Sequence, residues 1–560
     1  MSNEKISGES DIPPTESETT RMVGNFLHGS QEIPTTSAAS MAADRSVKAK
    51  SRTTDVHVAG KSDSSIVPVK PANKGDVPSL AESAEGRGLT KENTDQLLLD
   101  RTPSRHADGH PSRPRSRGLA GVRATAQKDR KLKFTNLLHH LTPELLEASF
   151  FALKKPAAPG IDGETWQDYA KDFKQRIIDL HGRIHRGAYR AKPSKRTYIP
   201  KADGKLRPLG IAALEDKIVQ QGVRTVLECI YEEDFLGFSY GFRPGRSQHR
   251  ALDALYVGIT QRRVNWIIDA DIRGFFDNIS HEWMMTFLKH RIADPRLLRL
   301  LKKWLRAGVS EDGEWSPTEV GTPQGAVISP LLANVFLHYV LDLWIDQWRE
   351  RHAKGEVIVV RYADDFVIGF REETDARNCL AALKDRFTKF SLELHPEKTR
   401  LIEFGRYAQT NRARRNESPP ETFDFLGFTH ICGKTRKGAF ALHRRTSRKK
   451  FQAKLAAVKE ELRRRRHHDP AEVGAWLNRV LRGWCQYYAV PGNYERLNQF
   501  RQSVSRLWQR NLRRRSQRRG RQTWARFNHL CRRWLPSVKI LHPYPNERFA
   551  RQHPGKSRMR

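Results

Sequence analysis

Along TNLLHHLTPELLEASFFALKK (Thr135–Lys155) apolar residues recur every third or fourth position, the spacing that turns one helix face toward a core. Thr142 stands where an N-cap is needed, and Glu144 falls in the first turn. PAAPGIDGETW (Pro156–Trp166) interrupts that helix with Pro and Gly, and a second helix follows through Ile178. In KRTYIPKADGKLRPLGI (Lys195–Ile211) two strand-like runs flank Ala202-Asp203-Gly204-Lys205, whose Asp-Gly step signals a hairpin. Helical spacing returns from Glu215 to Glu233. VNWIIDADIRGFFDNI (Val264–Ile279) starts as an apolar, β-rich run. Helices follow, then a loop at GTPQGAVISP (Gly321–Pro330) and a long amphipathic helix from Leu331 to about Arg351. VIVV (Val357–Val360) and FVIGF (Phe366–Phe370) predict two short strands with Ala363-Asp364-Asp365 at the bend between them. A helix from Thr374 to Phe390 and a strand-like TRLIEFG (Thr399–Gly405) follow. Strands interleaved with helices around a hairpin, without βαβ repeats, predict an α+β fold.

Composition changes this picture at both ends. Residues 1–120 are rich in Ser, Thr, Pro, Lys and Asp, and Phe26 is the only aromatic before Phe134. Such a stretch buries too little apolar surface to offset chain entropy, so disorder is expected over 1–125, with order beginning near Gln127. It is a tether, a nucleic-acid-binding arm around SRPRSRG (Ser112–Gly118), or an inert tail. From about Arg436 the chain turns to basic helices with interspersed aromatics, and a domain boundary is expected near Gly433–Gly438. At 560 residues the chain has room for two to four domains. The scheme expected here is 1–125, 126–435, 436–545 and a basic tail over 546–560.

The formal charge is +37, from 100 Lys and Arg against 63 Asp and Glu, and the last sixty residues carry 18 Lys or Arg with Glu547 as their single acid. That surplus points to a polyanion, because each phosphate neutralised releases condensed counterions. Nucleic acid is the leading partner and an anionic membrane surface the second. No run of about twenty apolar residues occurs, so a membrane span is not expected. No apolar signal-peptide core follows Met1. Five scattered cysteines without a CxxC pair support neither a zinc site nor a disulfide framework, and they fit a reducing, cytoplasmic setting.

Against that basic background, acids inside apolar runs carry the candidate chemistry. Asp disfavours strands, and buried charge without a partner is costly, yet Asp364 and Asp365 interrupt a β-branched run. Two readings are open: a surface hairpin in which the pair only makes the turn, or acids that hold a divalent cation such as Mg²⁺. Asp271 ends the apolar WIIDADI in a similar way. Carboxylate-bearing strand ends side by side would hold two Mg²⁺ ions about 3.5–4 Å apart, the spacing used for in-line phosphoryl displacement. The alternative is that Asp269, Asp271 and Asp277 punctuate a strand-to-helix turn.

YADD in an apolar hairpin, DIRGFFDNISH upstream, GTPQGAVISPLLAN between them and FDFLGF downstream resemble the ordered motifs of reverse transcriptases. The wording is similar to proteins encoded by bacterial group II introns, which combine reverse transcriptase and maturase activities. PGIDGETW, IPKADGKLRPLGI and FSYGFRPGRSQHRAL match that family's N-terminal blocks, and the likeness runs from Gln127 to the C-terminus. The resemblance implies a right-hand polymerase, with fingers and an antiparallel palm sheet over 126–435 and an α-helical thumb and maturase domain X over 436–545. It implies that Asp271, Asp364 and Asp365 are the catalytic ligands of two Mg²⁺ ions, Asp365 being the least direct. Phe276 would press on the sugar and exclude a ribose 2′-OH, unless it is Phe276 and not Phe275 that is the core residue. Lys201 and Arg207 would grip the triphosphate, as ammonium and bidentate guanidinium, while Lys205 reads as solvated. Gln324 and Gly325 would lie under the nascent base pair, or Gly325 simply ends a loop. Lys398 would assist pyrophosphate departure, or is a surface lysine. Phe425, Leu426 and Gly427 would form the primer-grip hairpin, although periodicity alone gives a strand with a Gly kink.

Downstream, Trp476, Trp484, Tyr487, Tyr488, Trp508, Trp524 and Trp534 lie among arginines. That mixture suits stacking on single-stranded RNA, or a small helical core with a solvated Arg face, and most of these Trp are expected in the core. By resemblance VLRGWCQYY and WLPSVKILHPYPNERF belong to domain X, which grips intron RNA and promotes splicing through binding alone. Many relatives end in a metal-dependent nuclease with paired CxxC sequences. This chain stops at Arg560 with only Cys531 nearby, so it is expected to lack that endonuclease and to take its primer from a replication fork or another exposed 3′ end. The expected function is RNA-directed DNA polymerase and splicing maturase of a group II intron, acting on intron RNA, a DNA primer or target, and dNTPs during retrohoming. A splicing-only RNA-binding maturase and a reverse transcriptase adapted to defence are the alternatives. Whether the chain works as a homodimer is left open.

Overall fold

The computed structural model describes residues 118–200, 206–311, 313–322, 324–515 and 523–552. Lys201, the Asp203-Gly204 step and the expected disordered stretch up to residue 117 lie outside the described residues. Order begins before Gln127, however, because Gly118–Lys128 is already a helix. It buries Val122 and Ala126 and packs on the helix Leu214–Asp234, to which Arg123 adds an ion pair with Glu233 at 2.8 Å. Two small apolar residues four apart make too thin a stripe to announce a helix without its partner. Thr142 caps Pro143–Ala152 as its position suggested, its side chain accepting from Leu145 N.

Three β-sheets occur among the described residues. In the first, β1 (Ser194–Pro200) pairs antiparallel with β2 (Leu206–Ile211) and parallel with the short β4 (Val309–Glu311), beside which lies β5 (Glu314–Ser316). The second is fully antiparallel and contains β3 (Trp266–Ala270), β6 (Val357–Tyr362), β7 (Asp365–Phe370) and β8 (Arg400–Glu403) in the order β6-β7-β3-β8. A third joins β9 (Phe423–Phe425), β10 (Phe428–Lys434) and β11 (Phe440–Thr446). This mixture of helices with mainly antiparallel sheets is what the interleaved pattern implied.

The second sheet is buried on both faces, and strand alternation decides which residues go where. Ile268, Ala270, Phe366, Ile368 and Phe370 join a large core with the preceding helices. Ile267, Val367, Val360 and Ile402 point the other way, into a second core that also takes Phe425, Phe428, Leu477, Trp484 and Trp508. The C-terminal helices, Arg448–Arg464, Pro470–Tyr488, Tyr494–Arg513 and Trp524–Trp534, are therefore continuous in packing with the sheet. Composition changes at residue 436, but β10 and β11 pair across that point from Phe428↔Thr446 to Lys434↔Phe440. One hairpin therefore spans the expected boundary. Of the C-terminal tryptophans, Trp508 and Trp484 are core, whereas Trp524 is 61% exposed.

One charge is buried inside the apolar run. Arg361 on β6 is fully buried and meets the equally buried Asp342 through Nε at 2.7 Å and Nη2 at 2.5 Å. The same guanidinium donates to Ser239 Oγ, Asn334 Oδ1 and the Ala363 carbonyl. Asp342 reaches it from a π-helical turn, His338–Asp342, inserted in the long helix expected over 331–351. No described helix is long and apolar enough to cross a membrane.

Breaking this pair leaves a buried charge without its partner, which costs about 3–5 kcal/mol. Asp342→Leu is expected to lower the thermal midpoint sharply, and adding Arg361→Met to recover part of the loss. Scanning calorimetry of the single and double variants checks this.

Candidate active site

The candidate acids lie where the apolar ladder runs out. Asp269 pairs with Val367 on one side and Arg400 on the other, and Arg400 donates to its carboxylate at 3.0 Å. Asp271 follows the last β3–β7 pair, Ala270↔Phe366, so continuing the register sets it across from Asp365. Beyond the sheet the pairing goes on: His395 N donates to the Asp271 carbonyl at 2.8 Å and Arg273 N to the Glu393 carbonyl at 2.9 Å. LHPEKTR thus folds back over the strand end, and Lys398 Nζ reaches Asp271 Oδ2 at 2.6 Å. On the neighbouring hairpin Tyr362 pairs with Asp365, leaving Ala363-Asp364 as a two-residue turn. Ala363 takes φ +58°, the positive first position that type II′ turns use.

Crowding sets the electrostatics. Burial first, then Asp364, Asp271 and Asp269, push Asp365 up to about 7. This holds although Asp365 opens onto solvent in a cleft, because its surroundings are otherwise protein. The half-buried Asp364 is raised by burial and by Asp271, against the opposing pull of Arg207. Burial raises Asp269 as well, partly offset by Arg400. Carboxylates that resist joint ionisation are relieved by a cation, and their hard oxygens are the donors Mg²⁺ takes. The donor set therefore fits the metal by chemistry. Among the described residues no three ligand-type side chains stand ready as a cage; Asp271 and Asp269 are engaged by Lys398 and Arg400 instead.

Across from the acids stands the FDFLGF segment, which folds as the hairpin that the resemblance implied and not as the kinked strand of periodicity alone. Phe425 pairs with Phe428, so Leu426-Gly427 is a two-residue turn, with φ +48° and +79°. Positive φ at both central positions is the type I′ signature. The cleft between, about 720 Å³, is lined by Asp271, Asp365, Lys398, Phe425 and Leu426. Arg448 and Lys449, at the start of a C-terminal helix, also line it and were not singled out by the sequence.

The remaining candidates gather elsewhere. Phe275 is core at 3% exposed, while Phe276 is only partly buried. Thr322 N donates to the Phe276 carbonyl, and Gly210 N on β2 donates to the Gln324 carbonyl at 2.7 Å. Gly325 sits at φ +112°, where an added Cβ would lie 2.9 Å from the Gly210 carbonyl, so the protein's own backbone already demands glycine there. Phe276, Gln324 and Gly325 thus share a neighbourhood with β2, which carries the exposed Arg207. They do not line the Leu426 cleft. The two neighbourhoods meet at the Asp364-Asp365 turn, through the effect of Arg207 on Asp364 and the opening of Asp365 to the cleft. Sequence reasoning passed over Arg361 and Asp342, whose signal was a charge in each of two apolar runs.

Several comparisons bear on this arrangement. Residues 199–430 match the family model for reverse transcriptase (RNA-dependent DNA polymerase), a span that includes all the candidate acids. Protein YkfC of Escherichia coli strain K12 is 34% identical over 313 residues, covering 49% of this chain and 81% of that protein. The group II intron-encoded protein LtrA of Lactococcus lactis subsp. cremoris is 28% identical over 464 residues, covering 68% of this chain and 75% of LtrA. Nuclear intron maturase 2, mitochondrial, of Arabidopsis thaliana is 25% identical over 236 residues, covering 34% of this chain and 30% of that protein. The family match and the ordered motifs define a reverse transcriptase. The chain belongs to the group II intron-encoded reverse transcriptase/maturase family, a family of RNA-directed DNA polymerases.

Asp365 supplies a pH test. With its native pKa above the unfolded value of 3.8, at about 7, the folded chain keeps a proton that the unfolded chain has lost. Stability from this group therefore falls as pH rises from about 4 to about 7 and stays low above that. In magnesium-free buffer Asp365→Asn is expected to raise the thermal midpoint at pH 8 and to shift it little at pH 4. A variant that moves both midpoints equally would contradict the assignment.

Proposed function

We propose that the acids at the ends of β3 and β7 form the polymerase centre of a right-hand fold, extending a DNA primer on intron RNA during retrohoming. The observation that carries this reading is the β3–β7 register, which leaves Asp269 and Asp271 in line with Asp365 on one sheet face. In this reading the second sheet is the palm, β1 and β2 belong to the fingers, and the helices after β11 form the thumb and domain X.

Asp271 and Asp364, with Asp365 beside them, would hold two Mg²⁺ ions, which when bound sharpen a hydroxyl nucleophile and neutralise a pyrophosphate leaving group. The chain's own residues do the rest. Arg207, with Lys201, holds the triphosphate of the incoming dNTP, and Gln324 and Gly325 support the nascent pair from below. Phe276, with Phe275 taking the core position, offers its partly exposed ring to the sugar. Lys398 is paired with Asp271 before substrate arrives and is free to turn to the departing pyrophosphate once that carboxylate is otherwise engaged. Phe425, Leu426 and Gly427 hold the primer strand across the cleft. Intron RNA is gripped by the basic C-terminal helices, and splicing is promoted by that binding without a protein catalytic group.

Primer extension on an RNA template with Mg²⁺ tests the centre. Asp364→Ala is expected to cut extension by about a hundred- to a thousandfold or more, the scale on which a charge-stabilising group at a reacting centre acts. RNA affinity, read by filter binding, should stay unchanged. Extension at the wild-type rate would exclude the reading. Phe276→Val is expected to narrow the preference for dNTPs over NTPs in the same assay, whereas a purely core role would leave that ratio untouched.

A further inference from the structure

We propose that Tyr487, in the C-terminal helical unit, is a positioning residue for primer extension, acting through its hydroxyl on the Leu426-Gly427 turn. The inference rests on the reading of the Leu426 cleft as the polymerase centre.

The turn is expensive to hold. Leu426 occupies the left-handed region at φ +48°, where a side chain with a Cβ is disfavoured, so something outside the hairpin must stabilise it. Its two carbonyls are taken by donors from the chain that follows. Tyr487 Oη donates to the Leu426 carbonyl at 2.8 Å. Ser447 N, at the cap of the helix Arg448–Arg464, donates to the Gly427 carbonyl at 3.0 Å. The turn's remaining open side faces Tyr488, whose hydroxyl would lie 3.0 Å from a Cβ added at Gly427. Left-handed Leu426 is thus fixed from the helical unit.

Tyr487 is itself held from several directions. Its ring lies 5.9 Å from that of Phe428 and 5.1 Å from that of His249, and its carbonyl bonds with His249 Nε2 at 2.8 Å. His249 belongs to the helix Gln248–Gln261, which packs behind β6. The tyrosine therefore joins three parts of the molecule: the helix at the back of the sheet, the C-terminal helix Pro470–Tyr488, and the turn that lines the cleft opposite Asp271 and Asp365. Its hydroxyl is also within electrostatic reach of Asp365, which, after burial, Tyr488 and Tyr362, helps raise it. A ring that only filled the core would not need to bond a turn carbonyl. With the hydroxyl in place, Leu426 keeps one backbone conformation and the primer strand meets one surface.

Tyr487→Phe removes one oxygen and leaves the packing intact. With the full chain, a DNA primer annealed to an RNA template, and saturating Mg²⁺, kcat for extension is expected to fall by about three- to tenfold, the range one hydrogen bond supplies. The KM for dNTP should stay within about twofold, since the dNTP side of the site is not part of this junction. Leu426→Asn installs the Asn-Gly pair that type I′ turns favour, so the turn then holds its shape with less help. In that background Tyr487→Phe is expected to cost less than about twofold, a coupling that a hydroxyl with no part in the turn would not show. An unchanged kcat for Tyr487→Phe, or an equal loss in both backgrounds, overturns the inference. The Asp364→Ala assay keeps the two readings apart: wild-type extension there sinks the polymerase centre itself, whereas a dead Asp364→Ala protein beside an unaffected Tyr487→Phe sinks only the role of Tyr487.

Discussion

The register between β3 and β7 is the constraint on which the rest depends. Strand side chains alternate with period two, so a slip of one residue would exchange the two faces of the whole sheet. In the register found, Ile268, Ala270, Phe366 and Ile368 fill one core, and Ile267 and Val367 fill the other. Asp269 and Asp365 follow on the second face, at the edge of the cleft. A slip would drive those carboxylates into the larger apolar core, a cost far beyond that of a lost ladder bond. The same hydrophobic pattern that specifies the fold thus delivers acids to one place.

Keeping them there takes charge elsewhere. Burial and nearby carboxylates raise Asp364 and Asp365 together. Arg207 and Arg361 oppose the rise at Asp364 and Lys398 that at Asp365, while Lys398 and Arg400 pair with Asp271 and Asp269. Beneath the turn, the buried Arg361–Asp342 pair ties β6 to the π-helical turn and holds the Ala363 carbonyl. Buried ion pairs add little net stability, but they penalise any rearrangement that separates them. A turn anchored in this way keeps its shape when the charges above it change.

The basic C-terminal helices are not an appendage to this centre. Val360, Val367 and Ile402 from the sheet share one core with Leu477, Trp484, Phe500 and Trp508. Arg444 on β11 and Arg548 near the end of the chain both bind Asp253, on a helix behind the sheet. The basic C-terminal helices are in this way continuous in packing with the strands that carry the acids.

Much of this was legible in the sequence, and for reasons that can be named. The strands on either side of Ala363-Asp364-Asp365, the Thr142 cap and the order of helices follow from local periodicity and turn chemistry, which are written in neighbouring residues. What escaped was set by partners distant in the chain. Gly118–Lys128 is a helix because Leu214–Asp234 covers Val122 and Ala126. Arg361 drew no notice in VVRY because its role appears only with Asp342, nineteen residues earlier in the chain. Periodicity alone gave FDFLGF only a kinked strand, and the hairpin came from the resemblance, because positive φ at Leu426 is met by a bond from Tyr487, some sixty residues later in the sequence. The change of composition at residue 436 suggested a boundary, yet surface charge reports what a segment faces and not where its backbone pairs.

Carboxylates brought together by this register are proposed to share divalent ions. Anomalous scattering from crystals grown with Mn²⁺, an RNA template, a primer and an unreactive dNTP analogue addresses it most directly. Manganese is expected bonded to the carboxylates of both Asp271 and Asp364. Manganese bound only elsewhere, with those two side chains unliganded beside an ordered primer end, would contradict it.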